Sequence, residues 1–242
     1  LRDISGFSAL MAFSSVCTAA ILRSHGALWR GAFDLGFGFF MFFDHLVVGA
    51  TMLEAARTHV EEALGVKMQP GGSHAVFQTH NALMGLEDGI YLEAIAPNPE
   101  VSPPKRPRWY DLDRFEGQAR LSNWACSVSD MDRALNNMPS GAGTPVAVRR
   151  GDLAWRMAVS EEGTTPFDNL WPALIEWPAG VHPATQLEPT GIRLRRLTLS
   201  HPDGDALAAA LAPHLSDDRV SVEVGAVGMC AEFDTPHGPR VL

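Results

Sequence analysis

Imidazole, amide and carboxylate side chains stand in this sequence where the pattern asks for apolar packing. His45 is in the middle of FDHLVV, His80 and Asn81 open HNALMGL, Glu93 lies inside YLEAIA, and Glu176 lies inside ALIEWP. A carboxylate enclosed by apolar strand residues costs several kcal/mol if it stays charged and unpaired. Glu93 therefore requires a partner: a metal ion, an arginine or His45, with Arg156 and Arg108 as candidates for a plain ion pair. Glu176 follows the same logic unless Trp177-Pro178 ends its strand and exposes it. Either these groups are satisfied core residues, or they line a pocket where acid–base or metal chemistry is done. His80 and Asn81 are neighbours, so in a regular strand only one of them can face such a pocket. His182, in GVHPA after a strand end, can reach a cavity mouth, whereas His74 in a Gly-Gly-Ser turn reads as exposed, with a lid residue as the alternative. Trp109, Trp124, Trp171 and Trp177 read as packing residues, one or two of which can wall a pocket. No GxSxG, phosphate loop or GxGxxG is present.

The elements that must position these groups can be read from periodicity. FDHLVV alternates, with Phe43, His45 and Val47 on one side and Asp44, Leu46 and Val48 on the other, which predicts a strand covered on both faces. TMLEAARTHVEEALG predicts a helix: Thr51 with Glu54 is a capping box, Leu53, Ala56, Val60, Ala63 and Leu64 make one apolar stripe, and Gly65 suits a left-handed stop. A further strand is expected near residues 66–68 or 75–77. VFQTHNALMGL and IYLEAIA then form a hairpin around Glu87-Asp88-Gly89. Residues 43–96 thus read β-α-β-β-β. Residues 97–118 hold five prolines and no periodicity, and read as a semi-rigid linker. The order recurs over residues 119–186: strand LSNWACSV, a short helix with Ser129 and Asp132 in capping positions, a hairpin turning at Gly151-Asp152, and a last strand carrying Glu176. This internal duplication is the most informative feature of the sequence. Residues 187–242 read β-α-β-β, with Asp203 as the cap of the helix. The fold class is therefore α+β.

Bulk composition narrows the function. The 242 residues are 46% hydrophobic and 19% charged, as in a globular protein with a sizeable core. The net charge of -9 and short, scattered basic spots argue against nucleic-acid binding. Cys17, Cys126 and Cys230 give neither a disulfide framework nor a CxxC motif, which fits a reducing cytoplasm, with Cys126 and Cys230 read as buried thiols. Residues 1–42 stand apart. The 19 uncharged residues from 4 to 22 admit three readings: an upstream extension with no role in the fold, a packing helix, or a membrane anchor or signal. Their serines and Asp3 weigh against the membrane reading.

The ordered set FDHLVV, capped helix, THNALMGL, YLEAIAP, RPRWYDLD, LIEWP, HPA and DTPHGPRVL resembles the glyoxalase-like family of the vicinal oxygen chelate superfamily, over residues 43–242. That superfamily includes glyoxalase I, bleomycin-resistance proteins and extradiol dioxygenases. The resemblance implies paired β-α-β-β-β modules in a half-open barrel around a cavity. In catalytic members it implies a divalent metal (Fe, Mn, Ni or Zn) held by the first and last strands of each module. His45 matches the first-strand ligand of module one, Glu93 its last-strand ligand, and Glu176 the last-strand ligand of module two. Module two offers Asn123 or Trp124 where a metal-binding member would often show His, Gln or Glu, and departs from the pattern there. The implied function is a divalent-metal-dependent enzyme of lyase, isomerase or dioxygenase type acting on a small oxygenated metabolite. Glu93 or Glu176 would move a proton where not ligated, and His80, Asn81, Trp124 and His182 would line the pocket. The alternative is a metal-independent module that binds or sequesters a small molecule, as bleomycin-resistance proteins do. A homodimer is compatible with either.

Overall fold

The two expected β-α-β-β-β modules join through their first strands. In the computed structural model, which describes residues 39–242, module one comprises β1 (Phe42–Gly49), α1 (Leu53–Leu64), β2 (Gln69–His74), β3 (Thr79–Gly85) and β4 (Tyr91–Pro97). Module two comprises β5 (Arg120–Ser127), α2 (Met131–Leu135), β6 (Thr144–Arg150), β7 (Leu153–Val159) and β8 (Ala173–Glu176). The strands form one mixed sheet in the order β2-β3-β4-β1-β5-β8-β7-β6. In each module the first strand runs parallel to the last, while β1 and β5 run antiparallel at the centre. The sheet curls into a half-barrel: Arg150, at the end of β6, reaches Asn81 on β3.

Each face of the sheet has its own core. The convex face buries Phe43, Leu46 and Val48 of β1 and Trp124 and Cys126 of β5 against Val60 and Leu64 of α1. The concave face buries Val47, Ile95, Ala125, Met157 and Ile175. The segment between the modules crosses this face and adds Trp109, Tyr110, Leu112 and Phe115 to it. Burying each such large side chain contributes about 1.5–3 kcal/mol, so the proline-rich connection is also part of the core. The chain closes with β9 (Arg193–His201), α3 (Gly204–Leu211), β10 (Val220–Val224), β11 (Gly228–Thr235) and β12 (Gly238–Val241), paired β10-β9-β11-β12. Leu197, Leu199 and Phe233 of this smaller sheet belong to the convex core.

Several local expectations are corrected. β2 lies between the two expected positions, because an edge strand tolerates the Pro70-Gly71-Gly72 run that reads as a turn; its pairing with β3 is irregular between Pro70 and Ser73. The Thr51–Glu54 capping box is not formed: Met52 holds the N-cap of α1 and no side chain caps it. Gly65 does end the helix in the left-handed conformation, at φ 73°. Asp130, rather than Ser129 or Asp132, caps α2 by accepting from the Arg133 N–H. The last sheet has one strand more than expected, since β12 folds back on β11. Cys126 is buried but Cys230 is exposed, because Ala231 and Phe233 take the inward positions of β11. The run from residue 4 to 22 and Cys17 lie outside the described residues. Among the described residues, no helix is long and apolar enough to cross a membrane.

Candidate functional site

The site starts at a bulge in β1. Phe43 pairs with Cys126 and His45 with Ala125, so Asp44 is an extra residue between them. A bulge breaks the strict alternation of a strand. Phe43 consequently joins Leu46 and Val48 in the convex core, while His45 lines the concave hollow. Asp44, only 1% exposed, turns its carboxylate to its own neighbour: Oδ1 accepts from His45 Nδ1 at 2.8 Å. Its Oδ2 accepts from Trp177 Nε1 at 3.1 Å and from His182 Nε2 at 3.2 Å. Burial pushes the Asp44 carboxyl up, but hydrogen bonds from His182 and His45 and their charges outweigh it and hold it well below the usual carboxylate range.

A carboxylate can only accept, so the neutral His45 ring carries its proton on Nδ1 and presents the Nε2 lone pair to the hollow. The Tyr110 hydroxyl stands 3.2 Å from Nε2 and donates to it. Burial, with Glu93 and Asp44 nearby, pushes the Tyr110 phenol well up, so it stays protonated. Glu93, aligned with Val47 in β1, brings Oε2 to 3.7 Å from the same Nε2. Its Oε1 accepts from Asn81 Nδ2 at 2.5 Å. The other end of Asn81 is fixed too, since Oδ1 accepts from Gly72 N and from Arg150 Nη1, both at 2.9 Å. This is the reason for PGGSH. A Cβ on Gly71 would lie 2.0 Å from Asn81 Oδ1, and one on Gly72 would lie 2.9 Å from Arg150 Cδ. The polar groups thus form a chain from Arg150 through Asn81, Glu93, His45 and Asp44 to His182. It surrounds a hollow of about 20 Å³, room for a small group rather than a ring system.

Tyr110 reaches the site from the segment between the modules. Tyr110 and Asp111 both adopt left-handed backbone, each at φ 57°. Such non-glycine strain persists only where neighbours enforce it. Here Asp111 N donates to Gly163 O at 2.9 Å, and Asn169 Nδ2 donates to Asp111 Oδ2 at 3.2 Å.

The residues singled out from sequence are distributed unequally. His45, Asn81 and Glu93 converge on the hollow. His182 stands one residue behind its wall, bonded to Asp44, with its ring edge-on to Tyr91 and Trp177. His80, next to Asn81, faces away from the hollow and is half-buried. Trp124 is packed in the convex core with its indole N–H on Leu170 O at 2.8 Å. Glu176 is on the outer side because Ile175 takes the inward position of β8. Its carboxylate accepts from Arg156 Nε at 2.5 Å and from Met131 N at 3.0 Å. Asn123 is buried with its amide unpaired among the described residues, but does not line the hollow.

Donors for a divalent ion are consequently incomplete. His45 Nε2 and Glu93 Oε2 face one another, yet neither Glu176 nor Trp124 brings a ligand to them, and such an ion takes three or four protein ligands. Among the described residues, no group of three or more His, Cys, Asp and Glu side chains is arranged to hold a metal. Sequence reasoning missed Asp44, Tyr110, His74, Trp155 and Arg150. His74, read as exposed, is buried, donating or accepting at Thr79 Oγ1 through Nδ1 at 3.0 Å. Asp44 and His45 are adjacent in the sequence, but regular alternation would put them on opposite faces, and only the bulge lets them pair.

The model of the glyoxalase-like domain family matches residues 43–215. A comparison of the sequence with curated proteins finds no match. Among solved structures, a hypothetical protein from Staphylococcus aureus aligns with a TM-score of 0.55 at 13% identity, over 77% of this chain and 87% of that one, which shows a shared fold. A methylmalonyl-CoA epimerase from Streptomyces coelicolor aligns with a TM-score of 0.41 at 16% identity, over 59% of this chain and all of that one. The enzyme of the same name from Mycobacterium tuberculosis gives 0.38 at 21%, over 57% and 88%.

Proposed function

The chain belongs to the glyoxalase-like domain family, and from that premise we propose that it is an enzyme moving a proton on a small oxygenated molecule, with His45 as the base. The observation that carries this reading is the Asp44 Oδ1–His45 Nδ1 bond of 2.8 Å, which leaves Nε2 facing the hollow between the Tyr110 hydroxyl and Glu93. A carboxylate behind Nδ1 fixes the tautomer and stabilises the imidazolium that forms when Nε2 takes a proton.

The chemistry suited to these groups is enolisation. His45 Nε2 takes a proton from a carbon next to a carbonyl. The C–H electron pair becomes the new C=C bond, and the carbonyl oxygen takes the negative charge. The Tyr110 O–H turns from Nε2 to that oxygen and stabilises it by hydrogen bonding. Glu93, held by Asn81, balances the imidazolium from its other side. Return of the proton from the His45 imidazolium to the same face of the carbon regenerates the ketone with exchange against solvent, and its transfer to the oxygen gives the enol, an isomer of the starting ketone.

Proton exchange tests this. The full chain is incubated in D2O with a panel of small ketones, aldehydes and keto acids, and loss of the α-proton signal is followed by NMR. At least one compound exchanges, and His45→Gln slows it by about 100-fold or more, the scale of general base catalysis. No catalysed exchange, or an unchanged rate in His45→Gln, contradicts the proposal. Repeating the assay after chelation, and after adding back Fe, Mn, Ni or Zn, tests the metal dependence that the family resemblance implies. A second reading, binding of a small molecule without turnover, is favoured by Trp109, Trp155 and Trp177 around the hollow. Ligand-dependent tryptophan quenching that survives EDTA, with no proton exchange, would select it.

A further inference from the structure

Two of the residues that line the hollow carry hydrogen-bond donors that proton transfer leaves unused. Trp109 and Trp155 both line it, and the indole Nε1–H of each is buried without a hydrogen-bond partner among the described residues. Buried donors are costly when unpaired, so two of them on residues that line one hollow need an explanation. Both rings stand edge-on to His74, with centroids 5.0 and 5.9 Å from its ring, which puts them at one corner. Arg150 belongs to the same corner: its Nη1 bonds Asn81 Oδ1, and Asn81 Nδ2 is 3.5 Å from His74 Nε2. Among the described residues the hydrogen-bond partner of this guanidinium is an amide oxygen rather than a carboxylate, so no ion pair neutralises it there. Burial, then the charge of Arg150, lowers His74 to about 3, and the ring between the indoles is neutral. The acceptors of the hollow are elsewhere. Glu93 is taken up by Asn81 on one oxygen and faces His45 with the other.

We infer that this corner is a carboxylate subsite, in which the Trp109 and Trp155 indole N–H groups and the Arg150 guanidinium bind the carboxylate of a small organic acid. Arg supplies charge-assisted hydrogen bonds, and each indole supplies one directed donor. The acid's reacting carbon then lies against His45, a step that rests on the proton-transfer reading above; the binding itself does not.

The test compares acids with matched neutral molecules on the full chain. Acetate, lactate and pyruvate are titrated by calorimetry beside acetamide, lactamide and pyruvamide, and exchange of the pyruvate and pyruvamide methyl protons is followed in D2O. At least one acid binds, and its amide binds at least about tenfold more weakly, the scale of a hydrogen bond to a charged group. Trp155→Phe, which removes the N–H and keeps an aromatic ring, and Arg150→Gln each weaken the acid by at least about tenfold. Thermal melting checks that the variants fold. Should Arg150→Gln not fold, because Arg150 also anchors Asn81, Trp155→Phe decides alone. Amides that bind as well as acids, failure of every acid to bind, or wild-type affinity in the folded variants overturns the subsite. Pyruvate that binds without exchanging leaves the subsite standing and removes its link to proton transfer; exchange that is equal for pyruvate and pyruvamide supports proton transfer and overturns the subsite.

Discussion

Module one and module two share an order of elements but use their last strands differently. Each last strand carries one carboxylate, and each runs parallel to the first strand of its module. In module one the inward residues of β4 are Tyr91, Glu93 and Ile95. In module two the inward residues of β8 are Ala173 and Ile175, so Glu176 points to the opposite side. A shift of one residue moves a side chain to the other face of a sheet. The same carboxylate is thereby a site residue in one module and the anchor of a helix in the other, where it holds Met131 N and Arg156. A duplicated fold need not duplicate its chemistry; parity decides which copy faces the hollow.

The largest expected contrast between the copies is in rate. Asp44→Asn, which cannot hold the same His45 tautomer, slows proton exchange by about 10²–10⁴, whereas Glu176→Gln leaves it within twofold. A loss of exchange in Glu176→Gln without a loss of folding would erase the difference between the modules. Next is Gly71→Ala, whose new Cβ would fall 2.0 Å from Asn81 Oδ1. It should lower unfolding free energy by about 1–3 kcal/mol, read by urea titration, and slow exchange because Asn81 no longer holds Glu93.

Acid should also act through module one. His74 titrates at about 3 in the folded chain against 6.5 unfolded. The unfolded state therefore binds the extra proton between those values. Stability is unaffected above 6.5, falls as pH drops below it by up to about 1.4 kcal/mol per unit, and levels off near 3. Urea titrations of wild type and His74→Asn across that window should differ in slope, and equal slopes would contradict the burial argument. The smallest effect belongs to module two. The Arg156–Glu176 pair is partly exposed, and Arg156→Met should change stability by within about 1 kcal/mol and exchange not at all.

Much of this architecture is legible in the sequence because it rests on local chemistry. Gly65 stops α1, Gly151-Asp152 turns the β6–β7 hairpin, and Glu87-Asp88-Gly89 turns β3 into β4, with Asp88 at φ 67°. Glu93 announces itself as a carboxylate in an apolar strand. Other features depend on contacts between distant segments. The bulge at Asp44 follows from how β1 meets β5, and nothing in FDHLVV records it. Pro70, Gly71 and Gly72 read as a turn until Asn81 and Arg150 are seen against them. Tyr110 sits in a proline-rich stretch with no periodicity, and only its place against His45 gives it a role. Glu176 misleads for the converse reason: its strand is only four residues long, too short for alternation to reveal which side is inward.

The most direct test of the Asp44–His45 pair is nitrogen-15 NMR of the histidine rings, with His45 assigned by comparison with His45→Gln. The geometry requires the neutral ring to carry its proton on Nδ1, bonded to Asp44, with Nε2 bare, and requires Asp44→Asn to disturb that signal. A proton found on Nε2 in the neutral ring, or a His45 spectrum indifferent to Asp44→Asn, would contradict the account.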